Sequence, residues 1–74
     1  MQYSVIHRDV RISLTIDETA SGYRVSAMAE GGDDMMWPVG WVDPTEYRSE
    51  EEAFNRGTDF ARAKVEDVLR RGRG

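Results

Sequence analysis

The sequence predicts an α+β fold: a three-stranded antiparallel β-meander with one C-terminal α-helix packed on one face, in the order β-β-β-α. Three observations predict it. Across residues 10–16 the apolar side chains alternate strictly, with Val10, Ile12, Leu14 and Ile16 set against Arg11, Ser13, Thr15 and Asp17. That is the period of a half-buried strand. Across residues 49–69 they recur instead at helical spacing. Between these, the breaker-rich stretches 17–22 and 30–34 cut the chain into further short segments of strand character.

Residues 2–16 contain a conflict of parity. Tyr3 and Val5 lie on odd positions, whereas Ile6, Val10, Ile12, Leu14 and Ile16 lie on even ones. Either Tyr3 and Val5 sit on the outer face, or the strand is bulged or broken near His7-Arg8-Asp9. The expectation is one long strand with an irregularity there. Asp17-Glu18-Thr19-Ala20-Ser21-Gly22 follows as a hairpin loop, longer than the tightest two-residue turns. Tyr23, Val25, Ala27 and Ala29 then alternate with Arg24, Ser26 and Met28, giving a second strand antiparallel to the first.

Glu30-Gly31-Gly32-Asp33-Asp34 reads as an acidic loop, and the apolar residues 35–42 as the third strand. Pro38 lacks a ladder donor, so that strand is expected at an edge or bent. Residues 43–48, beginning Asp43-Pro44, read as a turn and an extended lead-in.

The helix has the strongest local signals. Ser49 with Glu52 three residues on forms a capping box, and Glu50, Glu51 and Glu52 oppose the positive end of the helix dipole. Arg70 and Arg71 suit the other end, and Gly72 is a natural stop. Phe54, Ala61, Val65 and Val68, joined by Phe60 and Leu69, make one apolar stripe. Glu52/Arg56, Glu66/Arg70 and Asp67/Arg71 are i,i+4 pairs worth about 0.2–0.5 kcal/mol each. Gly57, inside the stripe, costs roughly 1 kcal/mol relative to alanine. Its expected use is to bring the helix close to the sheet, under Trp37 or Trp41.

Seventy-four residues make a single domain near the lower size limit for a self-sufficient core. Without cysteine there are no disulfides, which fits a reducing compartment, and one histidine, His7, cannot build a multi-histidine metal site. Self-association is the remaining route to extra stability, most simply as a two-fold homodimer. The net charge of −4 disfavours a nucleic-acid binder overall. No apolar run approaches a membrane span, and no charged-then-apolar leader begins at Met1, so a soluble cytoplasmic protein is expected.

Catalytic chemistry finds little to work with: no cysteine nucleophile, no serine in a nucleophile setting, and His7 flanked by Arg8 and Asp9 as an exposed strand histidine. Asp33-Asp34 lacks the spacing of a calcium loop and would repel a phosphate at Gly31-Gly32. No catalytic residue, cofactor or metal is therefore assigned. Two binding surfaces remain. Met35, Met36, Trp37 and Trp41 belong to a segment apolar on both faces, so they are read as interface anchors at the far side or edge of the sheet, the equal alternative being that both tryptophans complete the small core. Arg11 and Arg24, interleaved with hydroxyls on the outer sheet face, together with Arg70 and Arg71, form the alternative site for an anion or nucleic acid.

Gly22-Tyr23-Arg24-Val25-Ser26 resembles the glycine-tyrosine-x-valine-serine opening of the second strand in HicB-type antitoxin domains. Ser49-Glu50-Glu51-Glu52-Ala53 is similar to that family's capped, acidic helix start. Those domains share a β-β-β-α layout with double-stranded-RNA-binding domains. The resemblance implies that layout and action by protein contact, with nothing catalytic. The three glutamates at the helix start stand where duplex-RNA binders place basic residues. The expectation is thus a non-enzymatic, self-associating protein-interaction module, antitoxin-like or regulatory. A nucleic-acid-binding domain using Arg11, Arg24 and the arginine-rich C-terminus is the alternative.

Overall fold

The computed structural model describes residues 1–31 and 38–72. Its elements are β1 (Gln2–His7), β2 (Val10–Thr19), β3 (Gly22–Gly31), β4 (Val39–Tyr47) and α1 (Glu50–Gly72). The strands form one antiparallel sheet in the order β1-β2-β3-β4, and α1 covers one face of it. The sheet therefore has four strands, and the expected three-stranded β-β-β-α arrangement is corrected to β-β-β-β-α.

The extra strand comes from the first segment, which is a hairpin rather than one irregular strand. Arg8 and Asp9 both take left-handed backbone angles, φ 52° and 64°, as a type I′ two-residue turn requires. The turn is closed by the pair His7 and Val10. It also resolves the parity conflict. Tyr3 lies opposite Leu14, Val5 opposite Ile12 and His7 opposite Val10, so the odd residues of β1 share a face with the even residues of β2. Ile6, in step with Val10 by simple counting, goes to the other face and is 70% exposed.

Ala20 and Ser21 alone separate β2 from β3, so this loop is shorter than expected. A Cβ on Gly22 would overlap the carbonyl oxygen of Tyr47, which explains the glycine where β3 begins beside the end of β4. The last strand runs on to Tyr47, past the expected end at residue 42, and residues 35–37 of the expected strand lie outside the described residues. Asp43-Pro44-Thr45, expected as a turn, is a bulge inside β4: Glu46 faces Arg24 and Val42 faces Ser26, leaving three β4 residues opposite Val25. The Asp43 carboxylate is buried there, accepting from the Thr45 amide at 3.0 Å and the Tyr47 hydroxyl at 2.6 Å. Pro44 is accommodated because β4 is an edge strand; Pro38, the proline from which an edge or bent strand was expected, lies just before β4 rather than in it.

On the helix, the Ser49 hydroxyl accepts from the Glu52 amide at 3.1 Å, as the capping box requires. The innermost line is Ala53, Gly57, Ala61 and Val65, all buried, with Phe54 and Leu69 packed at its margin. A Cβ on Gly57 would lie 2.7 and 2.9 Å from the two methyls of Val25, so the glycine does admit the helix to the sheet, with Val25 as its close neighbour. Ile12, Leu14, Val25 and Val65 are the largest fully buried side chains. Small residues on the helix set them close together.

Candidate interaction surface: the uncovered sheet face

Among the described residues no helix covers the second face of the sheet, and strand registers lay its residues out in rows. Ile6, Arg11 and Glu30 form the row at one end. Next come Ser4, Ser13, Met28 and Gly40, followed by Gln2, Thr15, Ser26 and Val42. Asp17, Arg24 and Glu46 close the other end. Charges thus stand at both ends, and the two middle rows carry none. Those middle rows hold hydroxyls and apolar groups around a shallow depression of about 340 Å³. Met28 is 46% exposed and Val42 is 63% exposed. Gly40 leaves the floor between them open because it has no side chain.

Of the four expected interface anchors, Trp41 lies opposite Ala27 on the helix side, where it packs half-buried against the core. Met35, Met36 and Trp37 lie outside the described residues. Among the described residues, the exposed large apolar side chains of the open face are Ile6, Met28 and Val42. Two of them carried a sequence signal: Met28 is the one large apolar residue on the outer side of its strand, and Val42 alternates with Trp41. Ile6 carried none, since its face depends on the hidden turn.

The four arginines of the alternative site do not converge. Arg24 donates to Glu46 at 2.9 Å and has Asp17 as its neighbour on β2. Arg11 faces Glu30. Arg11 lies six steps along β2 from Asp17 in the Arg24 row, roughly 20 Å of strand. Arg70 and Arg71 are on the helix, across the sheet, and Arg71 pairs with Asp67 at 3.2 Å. Glu46 also accepts from the hydroxyls of Ser21 and Thr19. The Ser21 hydrogen bond foremost, then Thr19 and Arg24, holds its carboxyl below the usual value.

His7 is not an isolated exposed residue. On the helix side its Nε2 lies 2.9 Å from Oε1 of Glu66, and Arg8 Nε reaches the same oxygen at 2.6 Å. Glu66, expected to pair along the helix with Arg70, thereby clasps the β1–β2 turn to α1. The His7 hydrogen bond, then the Arg8 charge, hold its carboxyl below the usual value. Tyr3 donates to Glu50 at 2.8 Å and packs on Phe54 with ring centroids 4.8 Å apart. Burial first, and the Asp43 carboxylate second, push the Tyr47 hydroxyl up to about 12. The His7–Glu66, Arg8–Glu66 and Tyr3–Glu50 contacts couple strand or turn to helix, and Tyr47–Asp43 ties the bulge together within β4. Among the described residues no group of three acidic, histidine or cysteine side chains could hold a metal ion, and no helix is long and apolar enough to cross a membrane.

Fold and surface together define a small α+β domain with a one-sided sheet. Comparison with known proteins finds no family model, no curated protein and no solved structure that matches this chain.

Proposed function

We propose that this chain is a non-enzymatic protein-interaction module that self-associates and meets its partners through the sheet. The observation that carries the reading is the half-covered sheet, with Ile6, Met28 and Val42 exposed beside an uncharged, hydroxyl-lined middle. Exposed apolar groups in a polar rim suit protein contact. The net charge of −4 favours a basic partner, consistent with the resemblance to antitoxin domains, although the fourth strand lies outside their layout. The nucleic-acid reading gains no support from the arginines, since Arg24 and Arg71 are engaged by carboxylates and Arg11 faces Glu30 at the far end of the sheet.

Light scattering at high micromolar concentration tests the self-association, with the expected mass that of two chains. A single-chain mass at that concentration overturns it. A shift assay with duplex RNA and DNA at low salt, where phosphate contacts are strongest, is expected to show no complex.

A further inference from the structure

The two edges of the sheet are guarded very differently. Along β4, Pro44, the bulge at residues 43–45 and Glu46 interrupt the run of free backbone groups. Along β1, Gln2-Tyr3-Ser4-Val5-Ile6-His7, there is no proline, no bulge, and no aspartate, glutamate, lysine or arginine. Met1 and Ile16 exchange backbone hydrogen bonds at 2.8 and 3.0 Å. By the two-residue alternation of an antiparallel ladder, Tyr3, Val5 and His7 also bond inward to β2. The N–H and C=O groups of Gln2, Ser4 and Ile6 therefore point away from the sheet.

We infer that β1 is the contact between two copies of this chain, which pair antiparallel about a two-fold axis at Ser4 to make one continuous eight-stranded sheet. This rests on the self-association proposed above and names its seam and register.

Three features select a second copy as the occupant. In this register Tyr3 meets the partner's Val5 on the helix side, an aromatic–β-branched pair that occurs twice, and Gln2 meets the partner's Ile6 on the open side. Tyr3 and Val5 are half-buried at the margin of the core, and the seam would finish covering them. Charge supplies the third. Two chains of net charge −4 repel on average, and this strand lets them meet without opposing like charges. With the β4 edge guarded, pairing stops at two chains instead of growing into a fibre.

Ser4 is exposed, its side chain lies on the open face, and it would face its own copy across the axis. Ser4→Lys or Ser4→Glu should each fall to the mass of one chain in light scattering, with the circular dichroism of the wild type retained. An equimolar mixture of the two variants should recover the mass of two chains. In the unaltered protein, amide exchange at Ser4 and Ile6 should be slow at high concentration and fast after dilution.

A wild-type dimer that Ser4→Lys leaves intact, with fast exchange at Ser4 at every concentration, overturns this seam but not self-association. A wild type that is monomeric at high micromolar concentration overturns both. If Ser4 then becomes protected only when a peptide from another protein is added, the edge serves a foreign strand, which also overturns the inference.

Discussion

Gly57 shows how one missing side chain sets the distance between two layers. Helix propensity alone favours alanine there by about 1 kcal/mol. The Cβ that alanine brings would press on both methyls of Val25, a stiff β-branched side chain fixed in the sheet. Overpacking of this kind costs about 1–3 kcal/mol and outweighs the propensity gain. Gly57→Ala is therefore expected to lower the urea midpoint. Combining it with Val25→Ala should cost less than the sum of the single changes, because both act on one contact. Double-mutant unfolding checks both points. Asp43 belongs to the same scale: a buried carboxylate is tolerable because the Thr45 amide and the Tyr47 hydroxyl both donate to it.

At the scale of elements, the clasp of Glu66 on His7 and Arg8 joins the β1–β2 turn to the last turns of the helix. Its carboxyl is held below the ordinary value of 4.5 in the folded chain. A lowered acid favours the native state fully above that ordinary value, and the benefit fades as the pH falls through the folded one. Stability measured between pH 6 and pH 3 by thermal unfolding should thus drop less steeply in Glu66→Gln than in the wild type, about these pH limits being set by the linkage window.

The same turn explains what the sequence could and could not reveal. Ser49, the glutamates after it and the apolar stripe from Phe54 to Leu69 made the helix legible, since capping and spacing are local properties. Arg8-Asp9 has none of the Asn-Gly chemistry that marks a type I′ turn, so only the parity conflict between Val5 and Val10 betrayed a fourth strand. Asp43-Pro44 did bend the chain as its residue types suggest, but within a strand, because Val25 and the neighbouring ladder hold both sides of the bulge in register. The open face was harder to read. Ile6 was assigned to it by that turn, a property of paired strands, whereas Met28 and Val42 follow from alternation within their own strands.

For the molecule as a whole, extents of 39 × 20 × 15 Å describe a thin slab of two layers. A slab with one polar-and-apolar face outside can change that face without disturbing the core. Replacing Met28 and Val42 together by lysine is expected to leave unfolding stability within about 0.5 kcal/mol, as for other surface changes. The same variant should bind less of a fluorescent apolar dye than the folded wild type. A large loss of stability would instead assign those side chains to packing.

The sheet order has a final consequence. Because β1, β2, β3 and β4 lie side by side in the order in which they occur along the chain, each new strand finds its neighbour already in place. The two-residue connections at Arg8-Asp9 and Ala20-Ser21 keep the entropy of ring closure small. A polypeptide leaving the ribosome can lay down this sheet in step with synthesis, and only docking of the helix must await the residues that follow β4.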